Sequence, residues 1–206
     1  MGIADAEGMA AVSMRRVAAD VGAATMALYR YVRGKEDLIL YMVDAAMGEE
    51  AFPPTAPNGW RADLELVARH QWALFRRHPW LAPAMSVTRP QAAPNALVHT
   101  ERVLRALAPF GLDPGAVLHI HVTLFSFVRG LATNLEPEAE AERETGLTSD
   151  EWIETQHAAL NAAAGSGAVA SFLRTVRESD VDLSLDTLFE FGLPRLLDGL
   201  AVYLER

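Results

Sequence analysis

Apolar residues recur at spacings of three and four along most of the chain, which is the period of an amphipathic helix. No stretch longer than a few residues alternates apolar and polar side chains with the period of two that a half-buried strand requires. The pattern therefore predicts an all-α protein. The two clearest stripes comprise Leu64, Val67, Ala68, Trp72 and Phe75 in one segment, and Leu185, Leu188, Phe189, Leu193, Leu196, Leu197, Leu200 and Leu204 in the last.

Short helices joined by turns are predicted in the N-terminal quarter of the chain. Ser13 suits the N-cap of a helix that Gly22 ends, because a serine side chain can accept a hydrogen bond from a free amide of the first turn. A second short helix is predicted over residues 25–32, and a longer one from Lys35 to Gly48. The tight turn between the first two predicts a helix–turn–helix arrangement.

Three prolines between Phe52 and Gly59 mark the one clear linker, since proline lacks an amide donor and fixes its own φ. The chain is therefore predicted to form two domains, residues 1–50 and residues 60–206, joined by a linker over residues 51–59. The second of these has the size of an ordinary domain.

The run from Ala116 to Leu135 has about the length of a membrane span. It contains His119, His121, Arg129 and Asn134, however, and each of these side chains is costly to place in hydrocarbon. We therefore expect a buried helix of a protein that does not enter a membrane. Since no secretory signal opens the sequence, we expect a cytoplasmic protein.

An acidic segment follows, with a glutamate at every second position from Glu136 to Glu144. Like charges four residues apart repel on a helix, so this segment is predicted to fray into a solvated loop. Thr148 and Glu151 fit a capping box that begins another helix at Ser149. Residues 165–167 (Gly-Ser-Gly) are predicted to interrupt that helix as a flexible connector.

The overall charge argues against a nucleic-acid-binding protein, because 18 basic and 27 acidic residues in 206 leave a net charge of −9. The charge is segregated, however. Residues 13–35 contain Arg15, Arg16, Arg30, Arg33 and Lys35 against Asp20 alone, a local charge of +4 that leaves −13 elsewhere. This pattern fits either a helix–turn–helix that binds DNA or a helical hairpin whose arginines are merely solvated.

Three segments of this region resemble the DNA-binding domain of the TetR family of transcriptional regulators. They are residues 3–8, Ser13 to Gly22, and Met26 to Leu38, which contains Leu28-Tyr29 and Gly34-Lys35 at the family's spacing. The resemblance implies a homodimer that binds a palindromic operator in double-stranded DNA. It also places Met1 inside the family's first helix, so we expect that helix to be truncated.

The resemblance assigns DNA contacts to eight residues. The first residues of the second motif helix are expected to face base edges, and Lys35 to neutralise a phosphate. Arg15 and Arg30 are the best candidates for recognising a base, because arginine bonds guanine with two hydrogen bonds. The eight are Arg15, Thr25, Met26, Ala27, Tyr29, Arg30, Tyr31 and Lys35. Leu28, between them, is expected to pack in the core of the small domain.

The rest of the chain resembles the tetracycline-repressor subclass more loosely, through Thr88-Arg89-Pro90, Phe127 to Gly130 and Phe191 to Leu193. The resemblance implies a helical domain for ligand binding and dimerisation, in which the helix over 114–135 and the terminal helix pair across a two-fold axis as a four-helix bundle. The wide stripe on the terminal helix agrees with this, although an ordinary core helix within one chain remains the alternative.

A ligand site between the helices of this domain is expected to be apolar with few polar groups. Its candidate residues are Trp72, Phe75, Leu104, His121, Phe125 and Ser126. No metal site and no cofactor are predicted. The chain lacks cysteine, and His119 and His121 point about 200° apart on a helix, so they cannot chelate one ion together.

The predicted function is that of a ligand-responsive transcriptional regulator, in the first place a repressor, which a small-molecule effector releases from its operator. The sequence contains no Gly-x-Ser-x-Gly elbow, no phosphate-binding loop and no His-Glu-x-x-His motif, so an enzyme is not expected. The alternative is a helical dimer that binds a small molecule or a protein without binding DNA.

Overall fold

The computed structural model describes residues 1–53, 59–149, 151–156, 174–175 and 182–205, and these are helical with no strand among them. The predicted all-α fold is confirmed, with a helix–turn–helix region at the N-terminus and a larger helical region after it.

Four helices form the N-terminal region: α1 (Gly2–Glu7), α2 (Met14–Asp20), α3 (Thr25–Leu28) and α4 (Lys35–Met47). The Ser13 hydroxyl accepts a hydrogen bond from the Arg16 amide at 3.2 Å, so the predicted N-cap of α2 is confirmed. Helix α3 is shorter than the predicted helix over 25–32. The amides of Tyr31 and Val32 both donate to the Leu28 carbonyl, which closes α3 in a tight turn.

The C-terminal region contains α5 (Trp60–Arg77), α6 (Leu81–Ala84), α7 (Pro94–Leu107), α8 (Pro114–Ala132), α9 (Leu135–Thr145) and α10 (Leu185–Leu204). Helix α5 is central and packs against α7, α8 and α10. Helix α8 begins cleanly, because the Asp113 carboxylate accepts from the Ala116 amide and Pro114 occupies its first turn.

One hydrophobic core joins the two regions, since Val43 and Met47 of α4 belong to the same buried cluster as Leu64 of α5. Of the stripe predicted on α10, Leu185, Phe189, Leu193 and Leu197 are fully buried. The other four leucines are partly exposed. The core face of α10 is therefore narrower than the stripe.

Helix α8 with α9 is long and apolar enough to cross a membrane by length and composition. The expected burial is only partial, because α8 packs one face against α5, α7 and α10, where Val117, Ile120, Leu124, Val128 and Ala132 are buried, while 28% of the span as a whole is buried. The polar Arg129 is accommodated by backbone, as its Nε donates to the carbonyls of Ala82 and Met85 at 2.9 and 2.7 Å.

The prediction of a loop over the acidic segment is wrong, because Leu135–Thr145 is helix α9. Leu135 is buried and anchors one end, and Gly146 ends the helix in the left-handed conformation with φ 71°. The Glu136 carboxylate connects α9 to the N-terminal region, since it accepts a hydrogen bond from the Met9 amide at 3.1 Å.

The capping box predicted after α9 is present. The Thr148 amide donates to Glu151 at 2.8 Å, and the Glu151 amide donates to the Thr148 hydroxyl at 3.3 Å. The predicted connector at residues 165–167 lies outside the described residues.

Candidate nucleic-acid interface and ligand cavity

A tight turn over Val21–Ala24 joins α2 to α3 and creates the helix–turn–helix. Gly22 has φ 67°, a left-handed conformation that favours glycine, and the Ala23 amide donates to the Ala18 carbonyl at 2.8 Å. Ala18 is fully buried, so the turn is fixed to the base of α2. The arrangement leaves α3 on the surface, where Met26 is 75% exposed.

The five basic residues of this region divide into two groups. Arg16 pairs with Glu7 at 2.6 Å, and Arg33 pairs with Asp37 at 2.9 Å. The Arg33 guanidinium and its backbone amide hold the pKa of Asp37 below its usual value. The remaining three, Arg15, Arg30 and Lys35, are exposed and form no ion pair within the described residues. We call these three the cationic surface.

The eight residues predicted to contact DNA all lie on or beside the helix–turn–helix. Arg15 is in α2, Thr25, Met26 and Ala27 form the first turn of α3, the next three follow α3, and Lys35 begins α4. Six of the eight are exposed, including both tyrosines, whereas Thr25 and Ala27 are half-buried. Two exposed aromatic rings beside three unpaired cations can contact both the sugar–phosphate backbone and the groove of a duplex. Leu28, expected in the core, is half-buried.

Polar contacts that the sequence did not reveal attach α1 to the C-terminal region. The Asp5 carboxylate accepts from the Trp80 indole at 2.6 Å, and the same oxygen lies 2.6 Å from Nδ1 of His78. The other ring nitrogen of His78 lies 3.0 Å from the Glu49 carboxylate. This buried histidine therefore bridges α1 to the segment after α4.

Helices α4 and α7 are joined by two further contacts. The Asn95 amide donates to the Asp44 carboxylate at 2.7 Å, and Nε2 of His99 lies 3.2 Å from the Met47 carbonyl. A Cβ on Gly48 would lie 2.6 Å from Nδ2 of Asn95, so these helices approach closely at this point.

A cavity of about 250 Å³ lies between α4, α5, α7, α8 and the segment before α7. None of its described lining residues is an aspartate, glutamate, lysine or arginine. Its one ionisable side chain is His121, whose Nε2 lies 3.1 Å from the Thr100 hydroxyl. Burial lowers the pKa of His121, so the ring is neutral at neutral pH. The lining comprises Val43, Met47, Gln71, Met85, Ser86, Val87, Pro90, Gln91, Ala93, Ala96, Leu97, Thr100, Leu118, His121, Val122 and Phe125.

Two of the six residues predicted to form a ligand site line this cavity, namely His121 and Phe125. Trp72 faces α10 instead, where its indole donates to Asp186 at 2.8 Å and its ring stacks on Phe189. Phe75 is fully buried in the core, and Leu104 and Ser126 are half-buried outside the lining.

Gln71 is the one buried polar residue among the described cavity residues that the sequence prediction missed. It is 2% exposed, and its Oε1 has no hydrogen-bond partner within the described residues. The sequence did contain an indication of this residue, because Gln71 interrupts the apolar stripe of α5 between Ala68 and Phe75. A polar side chain on a buried face needs a partner, and the oxygen of Gln71 has none in the described part of the chain although the residue borders the cavity.

No group of three or more histidine, aspartate or glutamate side chains lies close enough to hold a metal ion in the described ranges. His119 is exposed on α8, while His121 points into the cavity.

Comparisons with known proteins agree with this geometry. Residues 52–204 match the family model described as "Tetracyclin repressor-like, C-terminal domain", and residues 3–42 match "Bacterial regulatory proteins, tetR family". The chain is 41% identical over 204 residues to the HTH-type transcriptional repressor DrrR1 of Streptomyces coeruleorubidus, covering 97% of this chain and 73% of that one. An HTH-type transcriptional regulator of Saccharopolyspora erythraea is 34% identical over 126 residues, covering 61% of this chain and 53% of its own length.

Among solved structures, ActR of Streptomyces coelicolor is similar over the whole chain. Its apo form superimposes with a TM-score of 0.76 at 25% identity, covering 100% of this chain and 94% of ActR. Its complex with actinorhodin covers the same shares, with a TM-score of 0.78 at 25% identity.

Proposed function

The chain belongs to the TetR family of transcriptional regulators, and we propose that it represses transcription by binding a palindromic operator as a homodimer until a small molecule enters the cavity. The domains we infer are a DNA-binding domain over residues 1–50, a linker over 51–59, and a ligand-binding and dimerisation domain over 60–206. Catalysis forms no part of the proposal.

The observation that carries the DNA-binding role is the cationic surface. Residues 13–35 contain five basic residues against one acidic residue in a chain with a net charge of −9, and three of the five are exposed without an ion pair in the described residues. The two neighbouring arginines are already paired, with Glu7 and Asp37. DNA phosphates would pair with these three side chains. Such pairing is favourable because it releases the counterions condensed on the DNA. The alternative function, a ligand-binding module that does not bind DNA, gives no reason for this local excess of basic residues.

The proposed dimer uses α8 and α10. Phe191, Val202 and Tyr203 of α10 are each 46% exposed or more, which is unusual for side chains of this kind along one helix. Gly130 of α8 is exposed, and a Cβ there would meet no atom within 4 Å, so another helix can approach closely. These features support a four-helix bundle formed by two copies of α8 and α10.

The position of α4 supports the proposed release of the protein from its operator by a ligand. Val43 and Met47 line the cavity, and Lys35 of the cationic surface is the first residue of the same helix. A ligand in the cavity therefore contacts the helix that positions one of the proposed phosphate contacts. The related ActR has been solved with actinorhodin and with (S)-DNPA bound, which agrees with a ligand-responsive role for the fold.

The test is a titration of the protein against DNA from the upstream regions of its own and neighbouring genes, followed by fluorescence anisotropy. We expect sequence-dependent binding of one dimer per site that weakens steeply with salt. The triple variant Arg15→Ala/Arg30→Ala/Lys35→Ala should lose it while it keeps its fold. Binding that is absent, or equal for all duplexes at all salt concentrations, would contradict the proposal.

A further inference from the structure

We propose that Lys35 is a modification site, at which an acyl phosphate or an acyl thioester transfers its acyl group to the side-chain amine and thereby weakens DNA binding. Lys35 is the one lysine in the sequence, since all the others of its 18 basic residues are arginines. The inference rests on the proposed function, because it adds a covalent regulation to one of the proposed phosphate contacts.

The amine of Lys35 is the first part of the argument. An arginine guanidinium stays protonated, whereas a lysine ammonium can lose a proton and become a nucleophile. The sequence also contains no cysteine, whose thiolate would compete for the acyl group. An acyl donor therefore meets a single side-chain amine in the whole sequence, and that amine belongs to the cationic surface.

The surroundings of Lys35 are the second part. The residue is exposed at the start of α4, so an acyl donor can reach its Nζ from solvent. An ammonium group in an ion pair must leave its carboxylate before it can react. Lys35 forms no such pair in the described residues, and Asp37 of the same turn pairs with Arg33 at 2.9 Å. Two neighbours on this surface, Gly34 and Ala92, have little or no side chain and leave the amine open.

The reaction needs the acyl donor and no further reagent. The deprotonated Nζ attacks the acyl carbonyl carbon, so that a C–N amide bond forms while the C–O bond to phosphate or the C–S bond to the thiol breaks. The leaving group takes the electron pair, and the proton that the nitrogen releases goes to the leaving group or to water. The product is a neutral amide, which cannot pair with a phosphate as an ammonium does.

The expected effect follows from the lost charge. Acetylation of both protomers removes two proposed phosphate contacts from the dimer. The slope of log K against log salt concentration should then become shallower by about 2, and operator binding should weaken by about tenfold or more at physiological salt.

The experiment treats the full-length protein with acetyl phosphate in one arm and with acetyl-coenzyme A in the other. Peptide mass spectrometry measures acetylation at Lys35, and fluorescence anisotropy measures operator binding before and after treatment. We expect acetylation in at least one arm, which identifies the class of donor, and a loss of binding in proportion. Operator DNA present during the reaction should slow the acetylation by about fivefold or more, because a bound phosphate covers the amine.

Two variants separate the position of the acyl group from other effects of the reagent. Lys35→Arg keeps the positive charge but offers no side-chain amine, so its affinity after treatment should equal its own affinity before treatment. Lys35→Arg/Arg105→Lys moves the single lysine to an exposed position on α7, outside the proposed DNA-binding domain. At an equal extent of acetylation this variant loses the same charge, yet its operator binding should change by less than about twofold.

The inference is overturned if neither donor acetylates Lys35, if operator DNA does not slow the reaction, or if acetylated protein binds the operator as before. An equal loss of affinity in either variant would also overturn it, because the position of the acyl group would then not matter. A parent protein that binds no operator before treatment contradicts the proposed function and the inference with it. Operator binding that is intact before treatment and survives acetylation contradicts only the regulation at Lys35.

Discussion

Replacing Lys35 with alanine tests the proposed phosphate contacts most directly. Lys35 is exposed at the first residue of α4 and pairs with no carboxylate in the described part of the chain. Each phosphate contact contributes about −0.9 to the slope of log K against log salt concentration on duplex DNA. Because Lys35→Ala removes two contacts per dimer, the slope should become shallower by about 2.

The change in slope is large enough to measure. Between 50 and 200 mM salt, a slope shallower by about 2 means that the variant loses about tenfold less affinity than the parent protein. The assay is fluorescence anisotropy with a labelled operator duplex at four salt concentrations in this range. The control is Arg105→Ala on α7, which lowers the net charge of the chain equally but removes a guanidinium that pairs with Glu101 at 2.6 Å.

The slope of Arg105→Ala should equal that of the parent protein. If Lys35→Ala leaves the slope unchanged, Lys35 does not contact a phosphate. If both variants change the slope equally, overall charge rather than the cationic surface controls binding. Either result would refute the assignment.

Three further predictions concern other parts of the molecule. Arg30→Ala should cost about 1–3 kcal/mol on the operator and abolish discrimination at one base pair, as measured by competition with singly substituted duplexes; equal losses on every duplex would make Arg30 a phosphate contact instead. Val202→Arg, which places a charge on the exposed face of α10, should yield monomers in sedimentation velocity, while Glu140→Arg on exposed α9 should not; a dimer that persists in Val202→Arg would contradict the proposed bundle. Burial lowers the pKa of His99 to about 4, so the unfolded chain takes up this proton first as the pH falls. The free energy of unfolding should therefore drop by about 2 kcal/mol from pH 7 to pH 5 through His99 alone. Urea titrations of His99→Gln should lack this part of the loss, and identical pH profiles would show that His99 is not the cause.

The helices that the sequence predicted best are those with strong apolar periodicity. Helix α5 lies where its stripe indicated, because burial of one face against the core determines its position. Helix α9 was missed because the repulsion between its glutamates was overestimated. Most of those side chains are exposed to solvent, which weakens their repulsion. The features that fix the ends of this helix are the buried Leu135 and the left-handed Gly146, and a count of charges does not detect them.

Local sequence could not predict which basic residues of the helix–turn–helix remain unpaired. Arg15 and Arg16 are neighbours, yet only Arg16 meets Glu7, nine residues earlier, once α1 has packed. The residues that line the ligand cavity were even harder to predict from local sequence. Trp72 was predicted to line the cavity, but it is rotated by about 100° from Gln71, the residue before it on α5, so Gln71 borders the cavity while Trp72 faces α10.

The α4–α7 contact shows how occupancy of the cavity can reach the cationic surface. Asn95 and His99 of α7 bond the last turns of α4, while Thr100, the next residue on α7, faces the cavity. The two helices approach closely here, since a Cβ on Gly48 would lie 2.6 Å from Nδ2 of Asn95. Through these hydrogen bonds, a ligand that displaced α7 would also act on α4. Since α4 begins at Lys35, a rotation of this helix would move one cation of the cationic surface in each protomer of the proposed dimer, and so both proposed phosphate contacts at once.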